Sequence, residues 1–246
     1  MLLTTIKTLV SLDADPLGSP KLSHLGPRPG QVDLATLAPD WNASAQASRS
    51  CLAAQALRRV LDVVLSMAGL VLTAPVLLIM ALLVKLDDAG PAFYRQERVG
   101  LGGKVFTLLK LRSMRADAEL SGPRWASQQD PRVTQLGRIL RLTRLDELPQ
   151  LFNVLEGSMT LIGPRPERPH FAGHLAQIIP HFAERVSVKP GITGWAQVNY
   201  PYGASVEDAR QKLAYDLYYI KHRSLRLDLN ILLSTVFVVL NHTGAR

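Results

Sequence analysis

Two neighbouring carboxylates and a set of arginines carry the chemistry this sequence offers. Asp146 and Glu147 are adjacent, Arg138, Arg141 and Arg144 precede them at three-residue intervals, and Arg165 sits in a Gly163-Pro-Arg-Pro166 run. Carboxylates beside guanidinium groups suit phosphoryl chemistry with a divalent metal: the oxygens are hard metal donors, and planar arginines fork onto phosphate. Pro149 fixes the local structure, because proline is tolerated only in a helix's first turn. The stretch therefore predicts a helix with Asp146 as N-cap and Glu147, Leu148 and Pro149 in the first turn. Leu148, Leu151, Phe152 and Leu155 would form its apolar stripe, with Gly157 ending it. The positive end of such a helix would lower the pKa of Asp146, keep it ionised and welcome a phosphate. From this stretch alone, an ordinary acidic cap beside a basic turn reads the same.

The elements around these residues position them. Two prolines hold Gly163-Pro-Arg-Pro166 extended, so Arg165 is presented rigidly, as a phosphate or carboxylate clamp would be. Phe93 to Leu108 reads as a β-hairpin around Gly100-Leu-Gly-Gly-Lys104. That turn fails the Walker pattern, since Val105 follows the lysine where Ser or Thr should stand. Lys110, Arg112 and Arg115 form a short basic run after it, which alone reads as a solvated face. Lys189-Pro-Gly-Ile-Thr-Gly194 reads as a second rigid turn. His170 to Val186 shows weak helical periodicity broken at Pro180. Ser205-Val-Glu-Asp208 is a capping box that opens an amphipathic helix. Leu229 to Leu240 is uncharged but too short to span a bilayer, so it lies against a membrane surface or the core.

Composition sets the bounds. The chain has 246 residues, a formal net charge of +8, and 47% apolar residues. That charge favours anionic partners such as phosphorylated substrates or acidic lipid headgroups. No nucleic-acid motif is present. A single cysteine, Cys51, excludes an internal disulfide, and the histidines show no zinc spacing. Residues 1–50 are rich in Pro, Gly, Ser and Ala and read as a flexible leader. Val63 to Val84 carries no charge over 22 residues, long enough to span a membrane, yet Pro75 lies near its middle. Two topologies compete: a kinked full span, and a re-entrant hairpin with both ends on the cytoplasmic face. Basic residues flank both sides, as a same-side hairpin would show.

Taken together, six ordered stretches resemble the bacterial polyprenyl-phosphate phosphoglycosyl transferases, the monotopic sugar transferases that begin exopolysaccharide, O-antigen and related glycan assembly. They are Arg58-Arg-Val-Leu-Asp62, Arg95-Gln-Glu-Arg-Val-Gly100, Lys110-Leu-Arg-Ser-Met114, Leu145-Asp-Glu-Leu-Pro-Gln-Leu151, Gly163-Pro-Arg-Pro-Glu167 and Lys189-Pro-Gly-Ile-Thr-Gly194. The resemblance covers about residues 57 to 240. It implies an α+β, mostly helical fold in three parts: the leader (1–50), a membrane-associated re-entrant helix-break-helix (51–86) and a cytoplasmic catalytic domain (87–246) with a small β-hairpin and an amphipathic C-terminal helix. The break matches Ala74-Pro75, where the family has Ser-Pro; Thr73 is a candidate substitute for the missing hydroxyl.

The resemblance also implies roles. Asp146 matches the catalytic aspartate and Glu147 its partner, with Mg2+ held at the pair. Arg141 and Arg165 match phosphate-binding arginines, and Lys110, Arg112 and Lys189, inside matched motifs, join them as candidate phosphate contacts. Asp146 would attack the phosphate of a nucleotide sugar, a UDP sugar, form an aspartyl-phosphosugar intermediate and release UMP. Polyprenyl (undecaprenyl) phosphate would then take the phosphosugar. The implied place is the bacterial inner membrane with the catalytic domain in the cytoplasm. A second copy of the chain and downstream glycosyltransferases are further candidate partners. The competing class is a membrane-tethered basic binding or scaffold protein without catalysis, against which the intact Asp146-Glu147 pair speaks.

Overall fold

The computed structural model describes residues 52–240, except 121, 128 and 202. The leader, Cys51 and residues 241–246 lie outside the described residues. In order, the elements are α1 (Leu52–Asp87), β1 (Phe93–Val99), β2 (Val105–Leu111), α2 (Gln135–Thr143), a 3-10 turn (Leu145–Glu147), α3 (Gln150–Glu156), β3 (Thr160–Ile162), α4 (Pro169–Ile178), a 3-10 stretch (Phe182–Ser187), β4 (Gly191–Thr193), α5 (Trp195–Asn199), α6 (Val206–Lys221) and α7 (Leu225–Leu240). The mostly helical α+β expectation holds.

The hairpin forms as read. β1 and β2 pair antiparallel from Phe93 opposite Leu111 to Val99 opposite Val105. Gly102 and Gly103 take positive φ in the connecting turn, a conformation glycine adopts without strain. A second sheet, of two strands, is parallel: Thr160 pairs with Gly191 and Ile162 with Thr193. It was hidden in the sequence because three-residue strands are too short to show a period. Here the Lys189–Gly194 turn becomes partly strand. A Cβ on Gly191 would lie 2.1 Å from Gly163 N, so the two backbones meet only because this residue has no side chain.

The main core packs α4, α5, α6 and α7 around Trp195, Tyr215, Tyr219, Leu213, Leu217 and Ile231. The predicted capping box forms: Ser205 and Asp208 bond each other's backbone N–H at the start of α6. The C-terminal helix buries Leu227 and Ile231 in this core while Leu229, Leu233, Val236 and Leu240 stay exposed.

α1 departs from expectation. Residues 52–87 form one continuous helix with Pro75 inside it, so the predicted helix-break-helix at Ala74-Pro75 is not an interruption. Proline removes one backbone donor, costing a single bond to the carbonyl four residues back. Packing on both sides of Pro75 holds the rest: Leu77 and Val84 dock with Leu111 and Leu140, and Ser66 is buried about three turns before Leu77. Thr73 Oγ1 donates to Gly69 O at 2.7 Å, so its hydroxyl bonds a carbonyl other than the one Pro75 frees. At 1.5 Å per residue the helix is about 54 Å long.

One stripe of α1 faces the domain throughout. Arg59 donates to Val154 O and Leu155 O at 2.6 and 2.7 Å, covering open carbonyls at the end of α3. Asp62 accepts from Thr160 Oγ1 at 2.7 Å and Leu161 N at 2.9 Å. Arg58 Nε donates to Asp228, which also accepts from Tyr219 Oη, tying α1 to α7 and α6. The opposite stripe, including Leu61, Leu65, Leu72, Leu78, Ile79, Leu82 and Leu86, is exposed.

Candidate active site

The helix α3 begins at Gln150 with Pro149 as its cap, three residues later than the proline argument placed it. Pro149 stands just before it in helical conformation, and Asp146 lies in the 3-10 turn instead. The cause is Arg144, whose φ of 60° and ψ of 13° end α2 in the left-handed region and swing the chain into a new turn. A non-glycine residue there is strained, as positions in active sites often are. Within α3, Gln150, Leu151, Asn153 and Val154 are buried, while Phe152 is exposed rather than part of the apolar stripe. Gly157 ends the helix with φ 99°, as expected.

Asn153 aligns this turn with the hairpin. Its Nδ2 donates to Thr107 O at 2.8 Å and its Oδ1 accepts from Leu109 N at 3.0 Å. Gripped either side of Leu108, β2 delivers Lys110 to the carboxylates. Lys110 Nζ lies 3.7 Å from Glu147 Oε1. Arg165 reaches the same carboxylate from the Gly163–Glu167 loop as a two-pronged fork, Nη1 donating to Oε2 at 3.0 Å and Nη2 to Oε1. Arg141, on α2, is held by Ser113 through Nε at 2.9 Å and acts on Asp146 electrostatically. Asp146 is buried, 7% exposed, and among the described residues no hydrogen bond reaches its carboxylate.

The two acids are driven apart. Burial pushes the Asp146 carboxyl above its ordinary range, and the Glu147 charge adds to this; Lys110, Arg141 and Arg165 pull back without overcoming it. The expected lowering by a helix end is overturned, because the turn carries no helix end at Asp146 and burial dominates. Burial also pushes Glu147 upward, but Arg165 and then Lys110 outweigh it and hold that carboxyl well below normal. Burial lowers the Lys110 ammonium to about 8, against the opposing pull of Glu147. Glu147 is thus a fixed, neutralised anion, and Asp146 an uncommitted one beside three cations.

Other predicted contacts lie elsewhere. Arg112 caps the end of α1, donating to Ala89 O at 3.0 Å and to Asp88 O, with Val84 O at 3.5 Å. Its guanidinium is spent on carbonyls rather than free for phosphate. Lys189 stands at the far end of α3 from the carboxylates, where a Cβ on Gly157 would lie 3.6 Å from its Nζ. Burial lowers its pKa, and Arg59 lowers it further. Ala74 and Pro75 sit on α1, away from the carboxylates in the chain. So the structure gathers Lys110, Arg141, Asp146, Glu147 and Arg165, and leaves out Arg112 and Lys189.

The donor set fits one Mg2+. That ion asks for one or two carboxylates, phosphate oxygens and several waters. A carboxylate offers about four lone-pair sites; Arg165 takes one on each Glu147 oxygen, and Asp146 spends none on hydrogen bonds. Among the described residues no cluster of three His, Cys, Asp or Glu exists that would hold a metal without substrate.

Sequence reasoning missed three residues behind the site: Arg98, Arg185 and Asp216. Arg98 lay inside a quoted motif without a role. Asp216 had a visible signal, a charge three residues after Leu213 and next to Leu217 on the apolar face of α6.

An acidic turn locked between a hairpin lysine and a proline-framed arginine has the groups that phosphoryl transfer uses. The family model described as "Bacterial sugar transferase" matches residues 53–242, and the chain belongs to that family. A relative from Aeromonas hydrophila, UDP-N-acetylgalactosamine-undecaprenyl-phosphate N-acetylgalactosaminephosphotransferase, is 43% identical over 77% of this chain and 45% of its own length. The UDP-glucose:undecaprenyl-phosphate glucose-1-phosphate transferase of Caulobacter vibrioides is 47% identical over 73% of this chain and 68% of its own. The exopolysaccharide production protein PSS of Rhizobium leguminosarum bv. phaseoli is 40% identical over 73% and 93% respectively. The chain therefore spans less than half the length of the Aeromonas protein and nearly all of the Rhizobium one.

Proposed function

We propose that the chain transfers a phosphosugar from a nucleotide sugar, a UDP sugar by the names of its relatives, to undecaprenyl phosphate, opening the assembly of an exopolysaccharide or related glycan. The observation that carries this reading is the asymmetry of the pair: Glu147 bound by Arg165 and Lys110, Asp146 buried without a hydrogen bond. A carboxylate largely withdrawn from water and not engaged in a hydrogen bond is a stronger nucleophile than a fully hydrated one.

In the first half of the reaction an Asp146 oxygen attacks the phosphorus that carries the sugar. The bond from that phosphorus to the bridging oxygen breaks, and UMP leaves with the electron pair. In the second half an oxygen of undecaprenyl phosphate attacks the same phosphorus and the Asp146 carboxylate departs unchanged. Arg141, Lys110 and Arg165 supply positive charge where the diphosphate oxygens gather negative charge. Asp146 and Glu147 would hold a Mg2+, which would supply Lewis-acid charge neutralisation.

The membrane part of the proposal rests on how α1 is docked. Its inner stripe touches the catalytic domain from Arg59 to Val84, which favours a helix lying along that domain over one that leaves it to cross a bilayer of about 30 Å. Its exposed apolar stripe instead lies in one leaflet, both ends remain on the cytoplasmic face of the inner membrane, and the site sits at the surface where the lipid acceptor resides. Labelling with a membrane-impermeant thiol reagent tests this. Cys51 and an Asp87→Cys variant should be equally protected in intact cells; Asp87 is chosen because Asp88 bonds Ala116 N. Labelling at position 87 alone would mean that the segment spans. The activity itself is tested with a panel of radiolabelled UDP sugars and undecaprenyl phosphate. Label should move to the lipid with equimolar UMP; a binding or scaffold protein would release none.

A further inference from the structure

Gly163 to Glu167 presents Arg165 on a loop with two prolines, which have no N–H to donate. The loop must be held by its carbonyls, and four in succession are held. Pro164 O accepts from Gly191 N at 3.0 Å and Glu167 O from Val99 N at 2.9 Å. Between them, Pro166 O accepts from Arg98 Nη1 at 2.8 Å and Arg165 O from Arg185 Nη2 at 2.9 Å. Backbone grips the two ends, and arginine side chains grip the middle.

Arg185 is placed for that task. It lies on the 3-10 stretch Phe182–Ser187, its guanidinium 5.0 Å from the Phe182 ring centroid. Its Nη2 also donates to Asp216 Oδ2 at 2.7 Å, and the two side chains are 10% and 2% exposed. Burying such a pair is expensive and replaceable by apolar packing when stability alone is wanted. What the pair achieves here is geometric: it brings a five-donor fork from the helical core of α6 to the carbonyl of the residue whose side chain clamps Glu147.

We propose that Arg185, oriented by Asp216, is a positioning residue that sets Arg165 in the active site. This rests on the reading of Arg165 as a phosphate-binding group. Arg185 touches neither Glu147 nor substrate; it acts through the backbone of residue 165. Releasing that carbonyl lets the loop centre shift, and a displacement near 1 Å at a clamp costs on the order of 100-fold in rate.

The test is a double-mutant cycle with one readout that does not depend on turnover. Arg185→Gln should lower kcat/KM by about 100-fold in the parent. In an Arg165→Lys background, where the fork onto Glu147 is already lost, the same change should cost no more than about twofold. Asp216→Asn, which leaves Arg185 in place, should show the same pattern with a smaller loss, and serves if Arg185→Gln fails to fold. Hydrogen–deuterium exchange of the peptide spanning residues 160–168 should rise in Arg185→Gln and Asp216→Asn, and remain at the parent rate in Arg185→Lys if the lysine reaches both oxygens. Equal losses in both backgrounds, or unaltered exchange in the Gln and Asn variants, would overturn the positioning role. A parent without transferase activity would instead sink the functional reading, while the exchange comparison still decides whether Arg185 holds the loop.

Discussion

The acidic turn and the long helix α1 solve opposite problems. At Asp146 and Glu147 the chain buries charge, and every neighbour is chosen one by one: Lys110 from β2, Arg165 from a proline-framed loop, Arg141 from α2. On α1 the chain exposes apolar surface along one stripe, and individual identities matter little provided they are greasy. The seam between them is neither: Arg58, Arg59, Asp62 and Ser66 are polar residues on the inner stripe of an apolar helix, three of them bonded to the catalytic domain. The difference teaches that the helix is not a tether attached to an enzyme but a structural layer of it, with its exposed apolar surface confined to one side.

Substitutions can break this comparison at each level. The largest effect belongs to the turn. Asp146→Asn should reduce turnover by at least about 1,000-fold. It should leave the thermal midpoint equal or higher, because it removes a buried charge that makes no hydrogen bond. Activity within tenfold of the parent would remove Asp146 as nucleophile. Next comes Arg165→Lys, which keeps charge but loses the fork; kcat/KM should fall by about 10- to 100-fold. Unchanged kinetics would assign Arg165 to structure alone.

The seam and the outer stripe should separate cleanly. Asp62→Ala strips Thr160 Oγ1 and Leu161 N of their acceptor and should cost about 1–3 kcal/mol in detergent-solubilised unfolding, with membrane partition unchanged. Leu78→Gln, at a residue 73% exposed, should cost less than about 0.5 kcal/mol in the same assay yet weaken sedimentation with anionic vesicles. Were Leu78→Gln to destabilise the domain as much as Asp62→Ala does, the two faces of α1 would not be distinct.

Much of this was legible in the sequence, for reasons that differ by region. The glycine turn of the hairpin and the Ser205–Asp208 capping box are local patterns and formed where read, and the uncharged run from Val63 to Val84 is helical, though without the break read at Pro75. The members of the site were legible by type, since carboxylates and arginines stand out. Their environment was not. Whether Asp146 sits at a helix end or in a buried turn depended on one left-handed residue, Arg144, which carries no propensity signal. Arg112 and Lys189 shared the composition of phosphate ligands, but only the folded chain shows one capping α1 and the other at the wrong end of α3. Pro75 misled for a related reason: local rules count the bond a proline removes, not the docked stripe that holds the helix across it.

The central claim is that Asp146 carries the phosphosugar between two substrates. It is tested most directly by mixing the purified chain with the UDP sugar found active, withholding undecaprenyl phosphate, quenching rapidly and analysing peptides by mass spectrometry. The peptide containing Asp146 should gain the mass of one phosphosugar, UMP should appear in an amount matching the enzyme, and adding undecaprenyl phosphate should discharge the adduct into lipid. An active enzyme that releases UMP only when the lipid is present, with no adduct on that peptide, would contradict the account and require direct transfer between substrates.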